Sequence, residues 1–174
     1  MILETKNKIE FSKDLIKKID HELAKYPDDQ RQSAVMAALT HAQDEYNGYL
    51  TNEIISAVSD YLKIPRIFAE EAATFYSMYE HKPMGIHKIC VCITLSCKIR
   101  GGSEIVSHLK KRLGINFGEV TPDGVFSLKH VACLGACRNA PVIQIGTVYH
   151  EDLTIPKLDK ILDDLKKKAI SKKG

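Results

Sequence analysis

The residues best suited to chemistry in this sequence are cysteines. Cys92 and Cys97 are separated by Ile93-Thr94-Leu95-Ser96, and Cys133 and Cys137 by Leu134-Gly135-Ala136. Four thiolates drawn together from two such segments can hold a tetrahedral zinc or an iron-sulfur cluster, because both accept four cysteine ligands. Structural zinc knuckles use about two to four intervening residues, so the first pair sits at the long limit of that range. A two-iron cluster gives each iron its own pair, and a gap of about four residues between ligands is familiar in plant-type ferredoxins. Spacing alone favours iron-sulfur and leaves zinc, a disulfide or inert thiols open. The fifth cysteine, Cys90, lies two positions before Cys92 and so on the same face of a strand, where it reads as a small buried hydrophobe.

An anionic cluster needs hydrogen-bond donors at its sulfurs, and backbone amides are the simplest source. Gly101-Gly102 after the first pair and Gly135 within the second would let the backbone come close. Other chemistry finds little support. His21, His41, His81, His87, His108, His130 and His150 form no metalloprotease-type pair, and no G-x-G-x-x-G, Walker or G-x-S-x-G motif occurs. Glu70 and Glu71 point about 100 degrees apart on a helix and read as a solvated face. No residue is singled out as catalytic.

Around these cysteines the elements can be read from periodicity. Residues 11–26 put Leu15, Ile16, Ile19 and Leu23 on one helical face with Ser12 as N-cap. A second helix over about 30–47 aligns Val35, Leu39 and Tyr46 and stops at Asn47-Gly48. Thr51 caps a third, striped by Ile54, Ile55, Val58 and Leu62, and Pro65 opens a fourth through Ala72, Phe75 and Tyr76. Phe75, Tyr76 and Met78 read first as core, with a docking surface as the alternative.

After Lys82-Pro83-Met84-Gly85 the pattern changes to a strand, His87 to Cys92, then a helix from Ser103 to Gly114 bearing Ile105, Val106, Leu109 and Leu113. The Thr121-Pro122-Asp123-Gly124 turn leads into a strand over 125–132, followed by a hairpin around Gly146 and a last helix opened by Pro156, with Leu158, Ile161, Leu162 and Leu165 facing inward. The expected fold class is α+β: a helical bundle over 1–83 and an α/β domain over 84–174.

Composition agrees with a packed protein. The chain has 174 residues, 44% of them hydrophobic, enough for one ordinary domain or two small ones. Its 25 basic and 22 acidic residues leave a formal charge of +3, concentrated in Lys166 to Lys173, which read as a frayed helix end or tail. A nucleic-acid partner would want a basic face with aromatics; with the charge excess at the Lys-rich end and no Trp, none is expected. Met1 to Lys6 carry no signal-peptide-like apolar run, and nothing approaches the roughly 20 apolar residues of a membrane span, so a cytoplasmic chain without direct membrane insertion is expected.

The motifs together resemble a known family, the 24 kDa flavoprotein-fraction type of respiratory complex I (NADH:quinone oxidoreductase), whose ferredoxin domain is thioredoxin-like. The resemblance rests on Cys92-x4-Cys97, Arg100-Gly101-Gly102, Glu119-Val120-Thr121-Pro122-Asp123-Gly124, Cys133-Leu134-Gly135-Ala136-Cys137 and Ala140-Pro141-Val142, and further on Leu39 to Tyr49 and Ala72-Ala73-Thr74-Phe75-Tyr76. It implies one 2Fe-2S cluster on Cys92, Cys97, Cys133 and Cys137, with Cys90 outside the set. It also implies a subunit that is not a complete enzyme, docked on a flavoprotein subunit holding FMN and the NADH site, beside other peripheral-arm subunits. Electrons would pass from NADH through FMN to quinone with proton translocation. The assembly would sit at the inner face of the cell membrane, and this subunit's cluster would be a low-potential site near the flavin.

Three alternatives stand beside it. One is the homologous subunit of an NAD-linked hydrogenase or formate dehydrogenase. Another is a zinc-stabilised interaction module, which would be colourless. The last is a thioredoxin-like thiol oxidoreductase, which lacks the C-x-x-C motif it would need.

Overall fold

The structure, a computed structural model, describes residues 9–171. Met1 to Lys6 and the last two lysines of the Lys-rich end, Lys172 and Lys173, lie outside the described residues. The chain divides into two compact units, Met1–Pro83 and Met84–Gly174.

The first unit is helical. Helix α1 (Lys13–Leu23) is capped by Ser12, whose hydroxyl oxygen accepts from the Leu15 N–H at 3.1 Å while donating to Glu45 at 2.8 Å. The expected second helix is shorter than its periodicity suggested. Asp28–Ala34 forms a 3-10 segment, and the α-helix α2 runs only over Val35–Glu45. Arg31 in the 3-10 segment donates its Nε–H to the Leu62 carbonyl at 2.8 Å, supplying a partner at the end of α3 (Asn52–Leu62). Thr51 caps α3 through the Ile54 N–H, and Lys63 closes it in the left-handed conformation.

Helix α4 (Arg66–Phe75) buries the small face Ala69, Ala72 and Ala73. These alanines pack with Leu15, Ile19, Leu39, Leu50, Val58 and Leu62 in the unit's core. Phe75 and Tyr76, expected first as core, are not part of it. At 100 degrees per residue, Phe75 lies more than a quarter turn from the centre of the alanine face and is 80% exposed, while Tyr76 and Met78 are also exposed. The two rings stack edge to face at 5.0 Å and, with Glu71 and Thr74, line an open depression.

The second unit is a four-stranded mixed sheet in the order β2-β1-β3-β4. Strand β1 (His87–Cys92) pairs parallel with β2 (Phe126–Val131) and antiparallel with β3 (Ile143–Ile145), which forms a hairpin with β4 (Val148–His150). Parallel β1 and β2 require a crossover, which is helical. It contains a single helical turn α5 (Leu95–Cys97), a π-turn over Lys98–Gly102, and α6 (Ser103–Leu113).

The C-terminal helix α7 (Ile155–Ser171) takes in Lys166 to Lys168, so this part of the Lys-rich end is helical. Ile89 and Val91 of β1 pack with Leu128, Ile143, Ile105, Leu109, Leu158 and Leu162, so α6 and α7 cover the same sheet face. His108 and Arg112 on α6 reach Asp159 and Asp163 on α7 at 2.7 Å each. No helix among the described residues is long and apolar enough to cross a membrane.

Candidate iron-sulfur centre

The ends of β1 and β2 run side by side, with Cys92 opposite Val131, so the segments that follow both strands leave the sheet as neighbours. The Ile93 N–H donates to the Val131 carbonyl at 3.2 Å, and the Cys92 N–H to the Val142 carbonyl at 3.3 Å. Cys92 is therefore fixed between the β2 side and the stretch leading into β3. Cys97 ends α5 and is buried, as is Cys92. Together with Ala140 and Val142 they form a small apolar cluster, packed by Leu134 and Ala136 from the second cysteine segment. Cys133 and Cys137 are exposed.

Backbone and side-chain donors aim at these sulfurs. Cys92 Sγ lies 3.1 Å from Thr94 Oγ1. It also interacts with Cys97 and with the backbone N–H groups of Thr94 and Leu134. The Val142 N–H serves Cys97, and the Gly135 N–H donates to Cys133 Sγ at 3.3 Å. Gly135 makes its bend at φ +75°, a conformation that suits glycine. Burial pushes the Cys92 thiol up, yet the hydrogen bonds from Thr94, Cys97 and the Leu134 backbone outweigh it and hold the group at about 7. Burial, reinforced by the neighbouring Cys92, lifts Cys97 to about 11.

The segment that carries Cys97 is helical, where the sequence reading placed a loop up to Ser103. The π-turn brings the backbone at Gly102 against Cys97: a Cβ on Gly102 would lie 2.6 Å from the Cys97 carbonyl oxygen and 2.8 Å from its carbon. From the same turn, Arg100 Nη1 donates to the Arg138 carbonyl at 3.3 Å and Nη2 sits 3.7 Å from Asp152. Arg100 thus links the first cysteine segment to the residues just after Cys137. The second segment is held further by Asp152 N–H to the Asn139 carbonyl at 2.7 Å and by Asn139 Nδ2–H to Glu151 at 2.8 Å.

Cys90 is not in the apolar cluster of Cys92, Cys97, Ala140 and Val142. It is half-buried rather than fully buried as expected, and stands in register with Lys129 and Gln144. Its neighbours Ile89 and Val91 take the core-facing positions of the strand. The residue that sequence reasoning missed is Thr94. A threonine opening a short helical turn is a recognisable N-cap candidate, and that signal could have drawn attention to it.

Four cysteines in two pairs, three of them with an amide or hydroxyl donor at the sulfur, have the ligand chemistry that a two-iron cluster asks for and part of the charge compensation. Among the described residues no three His, Cys, Asp or Glu side chains gather around one ion-sized point.

The family described as thioredoxin-like [2Fe-2S] ferredoxin matches residues 19–166. The chain belongs to this family. An iron-sulfur cluster is accordingly the family's prosthetic group, and the thioredoxin-like, α+β character of the fold agrees with the helices and mixed sheet described above. Among the relatives, an NADH-quinone oxidoreductase subunit of Rickettsia bellii is 42% identical over 92% of this chain and 92% of its own length. Another protein named as a subunit of NADH-quinone oxidoreductase, from Rhizobium meliloti, is 40% identical over 85% of this chain and 86% of its own. The mitochondrial "NADH dehydrogenase [ubiquinone] flavoprotein 2" of Dictyostelium discoideum is 38% identical over 95% of this chain and 67% of its own.

The fold is also shared with a solved chain of an NAD+-reducing [NiFe]-hydrogenase in the air-oxidised state. That likeness has a TM-score of 0.65 at 19% identity and covers 77% of this chain but 23% of the hydrogenase chain.

Proposed function

We propose that this ferredoxin-family chain is the electron-transfer subunit of an NADH:quinone oxidoreductase. In this reading it holds one 2Fe-2S cluster, with Cys92 and Cys97 on one iron and Cys133 and Cys137 on the other. The observation that carries the proposal is the meeting of the two cysteine segments at the ends of the parallel strands, where Thr94, Leu134, Gly135 and Val142 point donors at the sulfurs.

When bound, the cluster supplies storage and transfer of one electron at a time. The chain's own residues do the rest. Cys92 and Cys97, buried among Ala140 and Val142, keep water from one side of the site, while the exposed Cys133 and Cys137 leave the other side open to an electron donor or acceptor. The amides compensate part of the thiolate charge without adding a proton that must move. No residue is assigned acid-base work.

The relatives at about 40% identity are named as subunits of an NADH-quinone oxidoreductase, which supports the same assembly for this chain. The proposed partners are a flavoprotein subunit that binds FMN and NADH, trading single electrons with the cluster of this chain, and other peripheral-arm subunits. The proposed location is cytoplasmic, at the inner face of the cell membrane through that complex. A second reading keeps the site and changes the assembly to an NAD-linked hydrogenase. It is supported by the shared fold alone, at 19% identity.

The decisive experiment is iron, sulfide and zinc analysis of anaerobically purified chain, followed by EPR after dithionite reduction. About two irons and two sulfides per chain with a rhombic reduced signal support the cluster. One zinc, no colour and no uptake of iron on reconstitution would make the chain a zinc-stabilised module and remove the electron-transfer reading. Affinity purification from the native host would then separate the assemblies, since an FMN-containing NADH dehydrogenase fragment is expected and a nickel-containing partner would move the chain to the hydrogenase class.

A further inference from the structure

Thr94 occupies the N-cap position of α5, with extended backbone angles of φ -72° and ψ 167°. A threonine there ordinarily turns its hydroxyl oxygen toward the N–H groups of the first helical turn, as Thr51 does for Ile54 at 3.3 Å in the other unit. Thr94 makes no such side-chain cap bond. Its hydroxyl is directed instead at Cys92 Sγ, 3.1 Å away, in a half-buried setting. The orientation forgoes the stabilisation a side-chain cap would give. It places the side chain's one O–H beside a candidate ligand sulfur.

The direction of that hydrogen bond follows from the ligand's charge. A thiol can donate or accept, and between free Cys92 and Thr94 either atom can be the donor. A metal-bound thiolate has no proton and only accepts, so the threonine must donate. Reduction adds negative charge to the cluster and its sulfurs, and a donor aimed at a sulfur stabilises the more negative state more strongly. The backbone N–H groups of Thr94 and Leu134 also serve Cys92, but no substitution of a side chain removes them. The hydroxyl is the donor whose contribution can be changed on its own.

We propose that Thr94 is a positioning residue of the iron-sulfur centre that raises its reduction potential by donating its hydroxyl hydrogen to the Cys92 thiolate. This inference rests on the cluster assignment above and adds to it a potential-setting side chain. Valine replaces the hydroxyl by a methyl group of similar volume, and serine keeps the hydroxyl while losing the methyl, so the pair separates hydrogen bonding from packing.

The test is a dithionite redox titration followed by EPR on the full chain and its Thr94→Val and Thr94→Ser variants, after anaerobic reconstitution and iron and sulfide analysis. At the potential where the parent chain is half reduced, Thr94→Val is expected to show an oxidised-to-reduced ratio of roughly 3 to 10, a tenfold change being about 59 mV for one electron. Thr94→Ser is expected to titrate with the parent. A Val variant that keeps two irons and titrates with the parent overturns the role of Thr94 and leaves the cluster assignment standing. A Ser variant that shifts as far as Val does the same, because packing would then be the cause.

If Thr94→Val does not assemble a cluster, Thr94→Ala takes its place: Ser matching the parent with Ala shifted supports the inference, and Ser matching Ala overturns it. A parent chain that takes up no iron and sulfide fails at the analysis step, which refutes the cluster assignment itself and this inference with it.

Discussion

At the scale of single residues, the five cysteines divide by surroundings rather than by exposure alone. Cys92 and Cys97 are buried and bonded to amides or a hydroxyl, Cys133 is exposed yet accepts from Gly135, and Cys90 is half-buried in the sheet in register with Lys129 and Gln144. Serine at a ligand position exchanges a soft thiolate for a hard, weakly acidic hydroxyl. Cys92→Ser and Cys137→Ser should therefore lower iron content at least about tenfold, the smaller end of what even an outer-shell partner contributes to metal affinity. Cys90→Ser should keep full iron and colour. Parallel iron assays and visible spectra of the three variants provide the check, and equal losses in all three would refute the proposed ligand set. The sequence made the two cysteine pairs visible but not the hydroxyl beside them. Thr94 has no neighbour of its own type and no periodic partner, and only the fold turns its side chain away from the helix cap.

At the scale of elements, legibility follows the strength of the local signal. Ser12 and Thr51 are the caps their sequence context announces, and the strand-forming residues of His87–Cys92, bounded by turn signals, form the expected strand. The 3-10 segment Asp28–Ala34 was hidden because it leads directly into the apolar stripe of α2. The helical turn carrying Cys97 was hidden because Leu95 and Ile99 are 71% and 75% exposed, so no buried stripe marks it, and Gly101-Gly102 reads as loop. Gly102 is where this turn closes on Cys97. Gly102→Ala puts a methyl group within 2.6 Å of backbone atoms, which cannot rotate aside as a flexible side chain would. The expected cost is about 1–3 kcal/mol, typical of overpacking, together with reduced cluster occupancy. Thermal melting and iron analysis would show both, and an unchanged melting temperature would mean the turn can open without cost.

A second element-scale contact is sensitive to pH. Tyr61 on α3 donates its hydroxyl hydrogen to Asp20 on α1 at 2.6 Å. Burial first, and then this carboxylate, raise its phenol from 10.0 to about 12. The folded chain therefore holds the phenol proton more tightly than the unfolded one. That contribution is fully present below the unfolded value near pH 10 and is lost as pH rises through about 12. Tyr61→Phe has no phenol to ionise, so its melting temperature should fall less steeply than the parent's between pH 10 and 12, although it starts lower at neutral pH. Melting curves across that range test the assignment, and parallel slopes would show that Tyr61 does not govern the alkaline limb.

At the scale of the whole molecule, each unit closes its own hydrophobic core. The helical unit buries Leu15 through Tyr79, and the sheet unit buries Ile89 through Ala169, with the cysteine cluster a small separate group inside the latter. The family match over residues 19–166 takes in both units, yet all four proposed ligands lie in the second. A group that binds only the folded state stabilises what must be folded to hold it. Cluster loading should therefore slow amide exchange most in residues 92–102 and 132–142, where the ligand sulfurs and their donors reside, by at least about tenfold, or ~1.4 kcal/mol. Protection should extend into β1 and β2, whose pairing sets the two segments side by side. Amides of α1 to α4 should exchange at the same rate with and without iron, because none of their core residues belongs to the clusters that include the cysteines. Hydrogen exchange read by mass spectrometry on apo and reconstituted chain distinguishes these regions directly. Equal protection of α1 to α4 would mean that the cluster's binding energy is shared by the entire chain, and the two units would then open together rather than separately.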